Sequence, residues 1–137
     1  MDAIRIDDDI VAWSKQQADA LRRRASNELD WDTLASEIED IGMGALEAIE
    51  GLLYQALSHQ LKIMAWPQAR DVQHWHHEYL NFLGQAQLRY RPAWRQKIDL
   101  AKIYRAALRH QPETMYGALP QALPDTCPWT LEELLQD

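Results

Sequence analysis

The chain has 137 residues, 47% of them hydrophobic and 26% charged, with a net charge of −7. That is the size of one ordinary domain and too rich in core residues for a disordered chain. No apolar run approaches the roughly 18–20 residues that span a bilayer, and the opening MDAIRIDDD lacks the order of a secretory leader.

The single Cys127 cannot close an internal disulfide, so a reducing cytoplasm is the expected compartment and a small buried hydrophobe the expected role. Charge is segregated along the chain. Residues 1–50 carry 13 acidic and 5 basic side chains, residues 51–110 carry 3 and 9, and residues 111–137 carry 5 and none. Such asymmetry fits a nucleic-acid or acidic-partner surface, but acidic and basic helices side by side in one fold explain it more simply.

Valine occurs twice and Gly plus Pro only eleven times, so strand and turn material is scarce and helices are expected throughout. The first begins after Asp7–Asp9, whose side chains can cap it. Its apolar stripe is Ile10, Trp13, Ala18, Leu21 and Ala25, and Arg22, Arg23 and Arg24 suit its last turn as a solvated end. The second starts near Asp30 or Asp32 and runs to Trp66, where Pro67 stops it. Its stripe of Leu34, Ile38, Ile41, Ala45, Ile49, Leu52, Ala56 and Ile63 is flanked by Leu46, Leu53, Leu57 and Met64, a face wide enough for more than one neighbour. Gly42 and Gly44 predict a kink there, or a close approach of another backbone.

A third helix from about Val72 to Arg89 places Trp75, Tyr79, Phe82 and Ala86 on one side. Pro92 suits the first turn of a fourth, carried through Trp94, Ile98, Ala101, Tyr104 and Leu108 to His110. Residues 112–128 hold four of the six prolines and read as a strap. Thr130 and Glu133 form a capping box, with Trp129 and Leu134 placed as a hydrophobic staple, so a short last helix starts there. The six tryptophans fall about one per element, the distribution of packing anchors.

The one stretch that looks like chemistry is DVQHWHHEY, residues 71–79. With Trp75 at the wheel origin, His77 lies near 200° and His74 near 260°, turned away from the apolar stripe, while His76 points elsewhere near 100°. Asp71-x-x-His74 copies the carboxylate–histidine spacing of helical di-iron sites, but those need two inward copies and Asp71 is also placed as a helix N-cap. His74, His77 and Glu78 are therefore metal candidates only if a second chain completes the site. Glu37, Glu39, Asp40 and His59 form another set, in which Glu37 and His59 share a face. They stand about 33 Å apart on a straight helix and meet only if the chain folds back at Gly42–Gly44. Arg95, Lys102 and Arg109, seven residues apart, make a stripe able to track phosphates or an acidic partner. Phosphate loops, paired-cysteine zinc patterns and nucleophile elbows are absent from the sequence.

Several blocks together carry a resemblance: Trp13, then ELDWDTLASEIEDIG at 28–42, LSHQLK at 57–62, Trp75 and CPWTLEELL at 127–135. They resemble the domain of unknown function 29 family over nearly the whole chain. The resemblance implies a bacterial, all-helical single domain without an assigned activity, and its matched polar residues are Glu37, Glu39, His59 and Lys62. The HWHH of residues 74–77 and the RPA of 91–93 depart from the family pattern, so the histidine cluster is not part of its signature.

The expectation is an all-α single domain over residues 1–137. It has a four-helix, bundle-like core with a kinked second helix, on which residues 111–137 pack as strap and terminal helix. No catalytic residue, metal or cofactor is predicted. First in rank is a non-enzymatic cytoplasmic protein-interaction or regulatory module that self-associates in one version. A metal-dependent hydrolase using His59 or the His74/His77 pair ranks second, and nucleic-acid binding through the basic fourth helix third.

Overall fold

Asp9 opens the first helix, its carboxylate accepting the Ala12 N–H at 3.0 Å, and α1 runs Ile10–Arg23. The structure, a computed structural model, describes residues 3–136, and all its regular elements are helical. The remaining α-helices are α2 (Trp31–Ala65), α3 (Val72–Arg89), α4 (Leu100–Arg109) and α5 (Leu131–Leu135), with 3₁₀ turns at Ser26–Glu28 and Pro92–Lys97. The chain divides into two compact units, Met1–Met43 and Gly44–Asp137.

In the first unit α1 buries Trp13, Gln17 and Ala20, and leaves Ile10 and Leu21 exposed. The buried face is therefore turned from the expected stripe, because a polar residue, Gln17, organises it. Its amide donates to the Glu28 carbonyl at 3.2 Å and accepts the Asp30 N–H at 2.8 Å, clamping the turn that leads into α2. Trp31 is 62% exposed, which corrects its expected role as a packing anchor, and its indole N–H donates to the Ser26 carbonyl at 3.1 Å. Arg24 closes α1 in the left-handed conformation (φ 57°), with its N–H on the Ala20 and Leu21 carbonyls. Arg23 pairs with Asp19 at 2.8 Å and Glu28 at 2.9 Å. These pairs hold Glu28 below the usual carboxylate range, but they face water and contribute little to stability.

Helix α2 is assigned without interruption from Trp31 to Ala65, so it continues through Gly42 and Gly44. Nothing stands within 4 Å of where a Cβ would sit on either glycine, so neither admits another backbone.

The core of the second unit comes from four helices. The second half of α2 gives Ile49, Leu53, Leu57 and Leu61, α3 gives Ala86, α4 gives Ile103, Tyr104 and Ala107, and α5 gives Leu131, Leu134 and Leu135. The α2 residues recur every fourth position, a ridge inclined to the helix axis rather than the axial stripe expected from wheel averaging. This ridge includes Leu61, which is buried in the core, while Leu52 and Ile63 are only partly covered. The expected fourth helix is broken. Ile98 is extended (φ −104°, ψ 118°) and buried, and Asp99 then caps a new helix by accepting the Lys102 N–H at 3.1 Å. Burial of one β-branched side chain followed by a good N-cap defeats continuity of the helix.

The C-terminal segment is fastened at several points within this unit. Gln121 N–H donates to the Ala65 carbonyl at 2.9 Å, Trp66 Nε1–H to Ala118 at 3.0 Å, and Gln87 to Leu134 at 2.9 Å. The Tyr104 hydroxyl donates to the Pro124 carbonyl, and the Trp129 ring meets the Tyr104 ring edge-on. Thr130 Oγ1 accepts the Glu133 N–H at 3.1 Å, starting α5 where its capping residues predict. Trp66 and Trp75 anchor a second small cluster with Ala65.

Candidate functional site

His74, His76 and His77 are all exposed around a buried Trp75, as the helical wheel requires. Among the described residues no three His, Cys, Asp or Glu side chains gather in a way that could hold a metal, so His74, His77 and Glu78 are not joined by further ligands within the chain. Asp71 occupies the N-cap position of α3 but makes no capping bond, which corrects its expected role. Its carboxylate instead accepts from the Tyr116 hydroxyl.

His59 is half-buried, with Nδ1 2.7 Å from the Gln55 carbonyl and its ring against Phe82 at 5.6 Å. A carbonyl only accepts, so Nδ1 is the donor in this bond. Lys62, one turn on, is also half-buried. Glu37 belongs to the Met1–Met43 unit and His59 to the Gly44–Asp137 unit, and α2 is helical through both glycines.

The basic stripe is divided. Lys102 and Arg109 are exposed on α4, whereas Arg95 lies in the preceding 3₁₀ turn and pairs with Glu132 of α5 at 3.3 Å. Cys127 is partly buried and donates to the Trp129 carbonyl at 3.3 Å. Burial pushes its thiol up, away from the thiolate that nucleophilic chemistry needs.

Two features remain that no catalytic motif announces. The first lies on α2 within the Met1–Met43 unit. Trp31, Ile38 and Ile41 fall within about 80° of one another around the helix, and are 62%, 64% and 74% exposed. Glu37 borders this stripe on one side and Glu39 on the other. Residues 30–43 carry five carboxylates and no basic side chain. Asp30 and Asp32 suit the positive start of the helix, but Glu37, Glu39 and Asp40 lie past its first turn, where that attraction has faded.

The second feature is a cleft of about 510 Å³ in the other unit, between the α2–α3 connection and residues 115–121. Ala65, Trp66 and Pro67 form one wall, and Met115, Tyr116 and Leu119 the other. The second wall is a two-residue turn. Met115 and Ala118 exchange hydrogen bonds at 3.0 and 2.9 Å around Tyr116 and Gly117, both at positive φ (51° and 78°). Glycine adopts that conformation freely, whereas in tyrosine it costs on the order of 1–2 kcal/mol. The Arg70 guanidinium lies 4.3 Å from the centroid of the Tyr116 ring.

A family model described as "Domain of unknown function DUF29" matches residues 6–137. The chain belongs to the DUF29 family. It is also similar to a crystal structure of an alpha-helical protein of unknown function from Rhodospirillum rubrum. The two share 26% identity, with 99% of this chain and 92% of that one covered at a TM-score of 0.74. No curated protein matches. In this DUF29 chain, the polar residues that the resemblance matched fall in two places. Glu37 and Glu39 border the exposed apolar stripe, and His59 and Lys62 sit on the second half of α2. No helix among the described residues is long and apolar enough to cross a membrane.

Proposed function

We propose that this DUF29 protein is a non-enzymatic cytoplasmic interaction module, and that the first part of α2 docks a basic amphipathic helix of a partner protein. The observation that carries this reading is the exposure of Ile38 and Ile41, 64% and 74%, between Glu37 and Glu39. An apolar stripe recognises the apolar face of a helix laid along it. Carboxylates on both borders select lysine and arginine at its flanks and repel acidic partners. Self-pairing of the same stripe would set like charges against one another, so a partner of opposite sign is preferred.

The test is titration of the full chain with a synthetic helix of leucines on one face and lysines on its borders, against the same helix with glutamates for lysines. Saturable one-to-one binding of the lysine peptide alone, weakened as salt rises, supports the reading. Binding of neither peptide, or equal binding of both, overturns it. A concentration-dependent dimer in sedimentation that excludes the peptide would replace it with self-association.

A further inference from the structure

We propose that the cleft beside residues 115–121 is a binding site for a small apolar carboxylate. Its volume, about 510 Å³, lies within the range of small-molecule sites. Its walls are mainly apolar, and they include Leu119, whose side chain is 80% exposed and gains from being covered. Arg70 is the one charged residue that lines it, in a chain whose net charge is −7. A lone cation on an apolar cleft selects an anion with an apolar body.

The surroundings hold this cation in place. Arg70 stacks on the Tyr116 ring, and the Tyr116 hydroxyl donates to Asp71, the carboxylate adjacent to Arg70 in sequence. Asp71 is thereby engaged by tyrosine and is not among the residues lining the cleft. The Tyr116 side chain, and to a lesser extent the Asp71 carboxylate, favour the charged form of Arg70, so a guanidinium cation is held at the cleft where a carboxylate can pair with it. The left-handed Tyr116 gives the same conclusion from the backbone. Its strain is retained at a position where the ring both supports the cation and forms a wall. The site shares no residue with the stripe on α2, so either proposal can fail without the other.

Calorimetric titration with 2-naphthoate, and with neutral 2-naphthamide as its uncharged counterpart, tests the site. The carboxylate is expected to bind one-to-one and at least tenfold more tightly than the amide. Arg70→Gln should remove that preference while leaving amide binding unchanged, and Leu119→Glu should weaken both ligands tenfold or more. Both side chains are exposed, so neither variant should lower the melting temperature by more than about 2 °C. Absence of naphthoate binding to the parent chain at millimolar concentration overturns the proposal. So does an Arg70→Gln variant that keeps the full preference for the carboxylate.

Discussion

Replacing Gln17 with alanine should destabilise the chain by about 1–2 kcal/mol, although the residue is polar and belongs to no motif. Gln17 is 5% exposed, and it holds two backbone groups, the Glu28 carbonyl at 3.2 Å and the Asp30 N–H at 2.8 Å. Each bond contributes about 0.5–1.5 kcal/mol net, and a partner left unpaired costs more where water cannot reach it. Glu28 and Asp30 are themselves exposed, so water recovers part of the loss and the total stays near the lower end of that sum. Urea denaturation followed by circular dichroism gives the free energy, and amide exchange at Asp30 gives the local effect. Gln17→Glu separates the two bonds. It keeps an acceptor for the Asp30 N–H but turns a carboxylate towards the Glu28 carbonyl, so it should cost at least as much as alanine. A loss below about 0.5 kcal/mol for Gln17→Ala, with Asp30 still protected, would refute the clamp.

Other expectations follow from the same structure. Leu57 is fully buried among the helices of the second unit, so Leu57→Ala should cost about 2–5 kcal/mol in urea denaturation. Burial raises the folded-state pKa of Tyr79, Tyr104 and Cys127. For a raised pKa the stabilisation is complete below the unfolded value and lost as pH rises through the folded one. The urea midpoint should therefore fall from about pH 8.5 upward, and less steeply in Cys127→Ala. If residues 1–137 act as one domain, unfolding curves from tryptophan fluorescence and far-ultraviolet dichroism should coincide. Two separated transitions would mean that the two units melt independently.

The sequence carries the helical class, most helix starts and the Thr130 cap of the last helix plainly, because those depend on neighbours one turn away. Thr130, Asp9 and Trp75 all behave as local spacing requires. What it conceals depends on side chains meeting across the chain. Nothing near Asp71 reveals that Tyr116, 45 residues on, will take its carboxylate from the helix end. Arg95 reads as part of a basic stripe only while the fourth helix is taken as continuous, and the Ile98–Asp99 break removes that premise. On α2 the wheel finds the apolar face but not which part is covered. Ile49 and Leu53 are buried while Ile38 and Ile41, on the same helix, remain in water. Asn/Asp-Gly pairs usually advertise a left-handed turn, and the Tyr116–Gly117 turn lacks that signal.

The stripe on α2 is the central claim, and Ile38→Glu/Ile41→Glu tests it most directly. Both side chains are exposed, so stability should change by less than about 0.5 kcal/mol per site. Covering an isoleucine contributes about 1.5–3 kcal/mol when burial is complete. The double variant, titrated with the lysine-bordered helix, should therefore bind it at least a hundredfold more weakly than the parent chain. Unchanged affinity in a folded double variant would contradict the account, because net charge alone would then explain the binding.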